Sequence, residues 1–430
     1  MKRILFLSAI VIAMLMASCS SDGYKSYIPG DSKIIGKIDL KQFFAQTGVN
    51  QEKLMNDLAS ELGDDANAIK DTGIDFSEPI YIFGAGKGNT INFGMIAKVE
   101  DQEKFKTWFE KQSKETLSSE SGFLCNIDKE AGLAVNDDVV VIYSSTERDG
   151  TTIKSGLSKI MNKEGEQKID DNPLFNKVEG LASFANLYID MSIAPAEAAS
   201  SLPIAGIKLD KVRKMILGID AEAKDGICDL LMNVKSDDKA VQEDIDKSMS
   251  AFGKISDKAL DIFSGNDLGG VVLNTDGSKI IELIKEALGD NDDMKQALEM
   301  FNGILGKIKG NVLAKFDASG QYFVAAEGQN TTGEINSLVS NMGDAPFDYG
   351  YSTGYMLFGP KGANLTDAMK PASEKMPSTL TDLMKNRRQV IFVNVEKANN
   401  IQAQMSGSDN SSKAFSEVLD KIKYVTFSMK

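Results

Sequence analysis

One local pattern recurs along this 430-residue chain: a short apolar strand ends in Asp or Asn, and a helical stretch follows. The four polar residues are Asp39, Asp190, Asn274 and Asn394. A side chain of this kind at a strand-to-helix junction can accept hydrogen bonds from the unpaired amides of the first helical turn. The pattern therefore predicts helix caps at these positions rather than catalytic carboxylates.

Each recurring unit is followed by two apolar runs that predict a hairpin. The pairs are 80–83 with 92–97, 215–219 with 230–234, and 312–316 with 322–326, while a fourth hairpin would begin at 424–428. Hairpins with helices between them predict antiparallel sheets with helices packed mainly on one face, an α+β fold. The units alternate between long and short, so we predict two tandem related halves, 28–255 and 256–430. Their period is too long for a solenoid.

The N-terminus predicts export. Lys2 and Arg3 precede the apolar stretch 4–16, which is shorter than the roughly 20 residues of a membrane-spanning helix. Residues 1–18 are therefore predicted to be a signal peptide. The sequence Met16-Ala17-Ser18-Cys19 resembles a bacterial lipobox, in which the first position is more often Leu. This resemblance implies cleavage before Cys19 and lipid on its thiol, and two or more acyl chains anchor a protein stably. An ordinary secretory signal is the alternative.

The residues after Cys19 bear on where the protein is anchored. Segment 19–27 is small and polar, which favours a flexible tether. The residue after Cys19 is Ser20 and not an aspartate, and this resembles the pattern of lipoproteins sorted to the outer membrane in Gram-negative bacteria. Lipoproteins displayed on the surface of Bacteroidota usually carry an acidic cluster behind the cysteine, and here only Asp22 is acidic. We therefore expect an outer-membrane lipoprotein that faces the periplasm, with surface display as the alternative.

Composition argues against several classes of function. Removal of the signal peptide would leave 46 basic and 62 acidic residues, a net charge of −16, which disfavours nucleic-acid binding. Histidine is absent, which excludes Ser-His-Asp and Cys-His catalysis and the usual zinc sites. No metal or cofactor is predicted. Cys125 and Cys228 are interpreted as buried free thiols, with a disulfide as the alternative.

Three motifs resemble catalytic or metal-binding signatures. Segment 84–90 is glycine-rich, but a P-loop requires Ser or Thr after its lysine and then a helix, so a hairpin turn is predicted. Three short motifs of serine penicillin-recognising enzymes have matches here: Ser236 with Lys239, segment 408–410 and segment 154–156. Their order along the chain differs from the order in that family. N-capping of a helix explains Ser236. Acidic pairs such as Asp137-Asp138 lack calcium-loop spacing and are predicted to be solvated turns. No catalytic residue is predicted.

A family resemblance can be stated from these residues. The lipobox, the opening Tyr27-Ile28-Pro29-Gly30-Asp31-Ser32 and the strand ending Ile38-Asp39-Leu40 resemble an uncharacterised family of Bacteroidota lipoproteins that carries a domain of unknown function. The resemblance implies membrane attachment and duplication. It implies no catalytic residues.

Together these observations predict a lipid-anchored envelope protein that binds a protein or ligand partner without catalysis. One alternative is a histidine-free hydrolase using a Ser-Lys or carboxylate pair. Another is a carrier of an apolar ligand, which would show as a large apolar cavity between sheet and helices. The expected partners are the membrane, through Cys19, and an envelope protein or ligand, but not nucleic acid.

Overall fold

The structure is a computed structural model that describes residues 22–61, 72–87, 90–165, 167–194, 209–288, 292–317, 319–340, 345–406 and 413–429. The chain forms two compact units. Unit 1 comprises Met1–Pro195, Ile216–Lys224 and Ser411–Lys421, and unit 2 comprises Ala196–Met215, Asp225–Asn410 and Ile422–Lys430. The predicted signal peptide and Cys19 lie outside the described residues, so their assignment stays a prediction.

Eighteen strands and fifteen α-helices are formed by the described residues. The strands are β1 Ile34–Ile38, β2 Ile80–Lys87, β3 Thr90–Lys98, β4 Ser118–Glu120, β5 Phe123–Ile127, β6 Ala131–Val135, β7 Val139–Ser145, β8 Ala185–Asp190, β9 Ile216–Lys224, β10 Ile227–Lys235, β11 Phe252–Gly253, β12 Gly269–Asp276, β13 Ile308–Phe316, β14 Tyr322–Gly328, β15 Phe347–Ser352, β16 Tyr355–Pro360, β17 Gln389–Asn394 and β18 Tyr424–Met429. The helices are α1 Leu40–Thr47, α2 Gln51–Glu61, α3 Gln102–Ser113, α4 Gly150–Met161, α5 Pro173–Glu179, α6 Leu209–Val212, α7 Lys239–Met249, α8 Asp257–Leu260, α9 Gly277–Leu288, α10 Asp292–Leu305, α11 Thr332–Val339, α12 Leu365–Ala368, α13 Ser378–Lys385, α14 Val395–Ser406 and α15 Lys413–Lys421.

Each unit contains an open sheet. In unit 1 the spatial order is β4-β5-β6-β7-β3-β2-β1-β8-β9, and every neighbouring pair is antiparallel. In unit 2 the order is β10-β18-β17-β12-β13-β14-β16-β15, with β10 and β18 parallel and the other pairs antiparallel. The short strand β11 pairs beside β12. These mostly antiparallel sheets with helices confirm the predicted α+β class.

The strand order recurs between the units. The run β6-β7-β3-β2-β1-β8-β9 of unit 1 has the same chain connectivity as β15-β16-β14-β13-β12-β17-β18 of unit 2. This recurrence supports an internal duplication. The predicted halves 28–255 and 256–430 stay a prediction, because the compact units are discontinuous in sequence.

Three of the four predicted junction residues make the expected contacts at helix starts. Asp39 accepts from the amide of Gln42 at 2.9 Å, Asp190 accepts from Ser192 at 2.9 Å, and Asn394 accepts from Lys397 at 3.2 Å. At the remaining junction β12 continues two residues past Asn274, to Asp276. Asp276 therefore accepts from the amide of Ser278, and the prediction for Asn274 was wrong.

Helices cover both faces of the unit 1 sheet, which differs from the expectation of one covered face. Successive residues of a strand point to opposite faces. On β7, Val139, Val141 and Tyr143 join a core with α4 and α5, whereas Val140 joins a second core with α2 and α3. In unit 2, the core cluster around Val272 lies on one face and includes residues of α8 and α13. Among the described residues, no helix is long and apolar enough to cross a bilayer.

Candidate binding cleft

A cleft in unit 1 opens between the sheet and α4. Its volume is about 1110 Å³, slightly above the usual range for ligand sites. The floor is the sheet face formed by Phe83, Ala85, Asn92 and Tyr143, near the ends of β2, β3 and β7. Helix α4 lies opposite, and segments 26–31, 163–165 and 167–170 contribute the remaining walls. We call this space the α4 cleft.

Two glycines allow the aromatic floor to form. A Cβ atom on Gly94 would lie 2.1 Å from Cζ of Phe83, and a Cβ atom on Gly156 would lie 2.3 Å from Cε1 of Tyr143. Distances this short are excluded by van der Waals repulsion. Glycine at both positions therefore lets the two rings lie against the strand and the helix, where they border the cleft.

Tyr27 anchors the N-terminal wall. Its hydroxyl accepts from Nδ2 of Asn136 at 2.9 Å and donates to Oδ2 of Asp138 at 3.3 Å. The Lys163 ammonium lies 4.0 Å from the centre of the Tyr27 ring, within range of a cation–π interaction. These contacts fix the 3₁₀ helix Asp22–Tyr27 against the rest of unit 1. Residues 22–27 therefore belong to the fold, and the prediction that they form part of a flexible tether 19–27 was wrong, because Tyr24 and Tyr27 are buried.

Asn172 holds the next part of the same wall. Its Nδ2 donates to the carbonyl oxygens of Gly30 at 2.8 Å and Ser32 at 2.9 Å, while its Oδ1 accepts from the amides of Leu174 and Phe175. The same side chain thus caps α5 and fixes segment 30–32 beside it. Asn172 is only 4% exposed, so water competes little for these bonds.

Asn92 gives the cleft an unused acceptor. Its Oδ1 atom is buried, and no described residue donates a hydrogen bond to it. Buried polar atoms are nearly always paired, so this unpaired oxygen in the floor of the cleft is an exception. A rotation of the Asn92 side chain would bring it within reach of a ligand N–H or O–H group in the open space.

The rim carries balanced charge. Three cations and three carboxylates line the opening, all of them exposed: Lys159, Lys163, Lys168, Asp31, Glu164 and Asp170. Burial, with a smaller effect from Glu147, raises the pKa of Tyr143, so its phenol stays neutral. The cleft therefore combines an apolar floor, neutral hydrogen-bonding groups and a rim of both charges, which suits an amphipathic ligand.

The glycine-rich segment 84–90 is not a phosphate loop. Lys87 pairs with Thr90 across the β2–β3 hairpin, and the element that follows is a strand. The prediction of a hairpin turn is confirmed.

The Ser-x-x-Lys segment is part of a helix start. The hydroxyl of Ser236 donates to the carbonyl of Lys214 at 2.7 Å, and its oxygen accepts from the amide of Asp238. Asp238, not Ser236, is the N-cap of α7, so the capping role predicted for Ser236 was wrong. Segment 154–156 lies within α4, and 408–410 lies outside the described residues.

The two described cysteines are free and buried, as predicted. Burial, helped by the charge of Asp229, raises the pKa of Cys228 to about 11, and burial also raises the pKa of Cys125. Both thiols therefore stay protonated and unreactive at neutral pH.

A smaller cleft in unit 2 brings three perturbed ionisable groups together. It has a volume of about 280 Å³ and is lined by Lys315, Asp267 and Asp317. Burial lowers the pKa of Lys315 and raises that of Asp267.

The backbone engages each of these groups. The Lys315 ammonium donates to the carbonyls of Ile262 and Ala368, Asp267 accepts from the amide of Ser264, and Asp317 accepts from turn amides such as that of Ser319. This arrangement is structural.

The acidic pairs show no metal geometry where they are described. Across the described residues, no three Cys, Asp or Glu side chains are placed to hold a metal ion. Asp137 and Asp138 lie in the turn before β7, where Asn136 accepts from the amide of Asp138. Segments 64–65 and 290–291 lie outside the described residues.

The α4 cleft was not predicted from the sequence. Segment 27–32 was noted as a family motif, but nothing local indicated that it borders a cavity. The sequence feature that could have indicated the cleft is the pair Gly94 and Gly156, which lie in apolar strand and helix segments. Glycines in such segments often mark close packing.

Comparison with known proteins gives a family. A sequence model described as a domain of unknown function, DUF4836, matches residues 24–332, which include every residue of the α4 cleft. No curated protein matches the chain.

Matching solved structures include two crystal forms of TP0453. Form I has 8% identity and a TM-score of 0.26, and it covers 80% of this chain and 92% of that one. Form III has 10% identity and a TM-score of 0.25, and it covers 80% of this chain and 94% of that one. At these scores the similarity supports no conclusion about fold or function.

Proposed function

The chain belongs to the DUF4836 family, whose domain has no known function, and we propose that it is a lipid-anchored binding protein of the bacterial envelope. In this proposal the α4 cleft binds an amphipathic small molecule, and no covalent chemistry takes place. The observation that carries the proposal is the cleft of about 1110 Å³ between sheet and helix, with Asn92 and its unpaired oxygen in the floor.

The location rests on the sequence. The lipobox-like segment ending at Cys19 supports a lipid anchor, and Ser20 supports the outer membrane. We propose that the mature protein faces the periplasm. A histidine-free hydrolase is less well supported, because Ser236, Lys315 and Asp267 are each engaged by the backbone.

The proposal is tested with the full mature protein and the fluorescent probe 1-anilinonaphthalene-8-sulfonate. Its aromatic rings suit the floor, and its anilino N–H can donate to Asn92. Thr151 is an exposed residue of α4 that lines the cleft, so the bulk of Thr151→Trp should partly fill it. A loss of about 1 kcal/mol corresponds to binding weakened about fivefold.

Thr107→Trp is the matched control, because Thr107 is also exposed on a helix, α3, and lies outside the cleft lining. Probe affinity in this variant should equal that of the parent. Equal affinity in the parent and both variants, or equal weakening in both variants, would refute the assignment of binding to the α4 cleft.

A further inference from the structure

The wall of the α4 cleft is the first described part of the chain after the predicted anchor. The 3₁₀ helix begins at Asp22, three residues after Cys19, and Ser26, Tyr27 and Ile28 line the cleft. Fully extended, three residues span at most about 11 Å. Four further residues of 3₁₀ helix add about 8 Å.

These lengths limit how far the cleft can be from the bilayer. If Cys19 carries acyl chains, Ser26 lies within roughly 20 Å of the lipid-bearing residue, however the intervening chain runs. The contacts of Tyr27 and Asn172 hold segment 22–32 against the rest of unit 1, so this wall stays attached to the other parts of the cleft. With Cys19 lipidated, the wall of the cleft at Ser26 therefore stays within roughly 20 Å of the membrane surface.

The chemistry of the cleft matches that of membrane phospholipids. A membrane phospholipid has acyl chains that the apolar part of the cleft lining can cover, at about 0.8 kcal/mol for each CH₂ removed from water. Its headgroup carries phosphate together with hydroxyl or ammonium donors. The lysines and carboxylates of the rim complement such a headgroup, and the Oδ1 atom of Asn92 can accept from a donor.

We infer that the ligand of the α4 cleft is a phospholipid drawn from the membrane to which Cys19 tethers the chain. The inference rests on the function proposed above and adds the class and the source of the ligand. It also gives the short tether a role, since the tether sets the distance over which lipid must leave the bilayer.

The test uses the lipidated mature protein in vesicles of phosphatidylethanolamine and phosphatidylglycerol that contain a phospholipid with a diazirine on one acyl chain. After photolysis, mass spectrometry should find cross-links in peptides covering 26–31 and 151–170. Cross-linking should fall about fivefold in Thr151→Trp relative to Thr107→Trp. Cross-links confined to other peptides, or equal yields in these two variants, would overturn the inference.

Two further variants test the tether. Inserting about 20 Gly and Ser residues after Ser21 gives a linker with a typical span of about 25 Å, and cross-linking should drop about threefold or more. The Cys19→Ser variant lacks the thiol that would carry the lipid, so it should lose most of the cross-linking. Unchanged cross-linking in both variants would show that lipid reaches the cleft without the tether and would refute the inference.

The probe titration separates the two proposals. If Thr151→Trp weakens binding of the sulfonate probe but leaves lipid cross-linking unchanged, the cleft binds ligands and the phospholipid inference is wrong. If Thr151→Trp changes neither the probe affinity nor the lipid cross-linking, both proposals are wrong. The insertion after Ser21 should leave probe affinity unchanged, because it alters no residue of the cleft.

Discussion

Replacing Asn92 with leucine should make the protein more stable and its cleft weaker in binding. The Oδ1 atom of Asn92 is buried without a donor among the described residues. An unpaired buried polar group costs about 1–3 kcal/mol. Leucine has a similar size and no polar atom, so Asn92→Leu should raise the free energy of unfolding by about 1–2 kcal/mol.

The same substitution removes the proposed acceptor for the ligand. A neutral hydrogen bond contributes about 0.5–1.5 kcal/mol, so affinity for the anilinonaphthalene probe should fall roughly threefold to tenfold. Urea unfolding followed by circular dichroism measures the first effect, and probe titration measures the second. Opposite signs of the two effects are typical of a residue kept for binding at a cost in stability.

Asn186→Leu is the matched control. Asn186 on β8 also has a buried Oδ1 atom that no described residue pairs, but it lies outside the cleft lining, and its Nδ2 donates to Ser183. Its substitution should leave probe affinity unchanged. If Asn92→Leu destabilises the protein and binds the probe as the parent does, Asn92 has a structural role and the argument from its unpaired oxygen is wrong.

Three further outcomes are expected. Asn172→Ala removes the cap of α5 and two bonds to the cleft wall, so urea unfolding should show a loss of about 2–3 kcal/mol, and a loss under 1 kcal/mol would contradict this role. Arg387→Met leaves the buried Asp229 carboxylate without its cation and should cost about 3 kcal/mol in urea unfolding, and a loss under 1 kcal/mol would contradict this role. Burial lowers the pKa of Lys37 below 10.5 in the folded state, so the unfolded state binds more protons just below pH 10.5 and stability rises with pH there. In Lys37→Met this rise should be smaller in urea titrations across that range, and an unchanged slope would contradict the assignment.

Local features were predicted well because their causes are local. Apolar runs separated by turn residues predicted the β2–β3 and β13–β14 hairpins, and the side chains of Asp39, Asp190 and Asn394 contact amides only two or three residues ahead. The error at Asn274 has a long-range cause, since the end of β12 depends on pairing with β13 as far as Asp276. The sequence alone thus determined the class of fold, the helix-start contacts of Asp39, Asp190 and Asn394, and the exclusion of histidine chemistry.

The cleft was decided by tertiary structure. Asn172 and Gly30 are 142 residues apart, and no periodicity in the sequence relates a helix cap to a loop at that distance. Likewise, Asn92 borders the cleft because pairing between β2 and β3 places it opposite Ala85, on the sheet face that carries Phe83. Such long-range contacts depend on how the whole sheet is ordered, so the pattern of residues predicted the elements, and only their packing created the space between them.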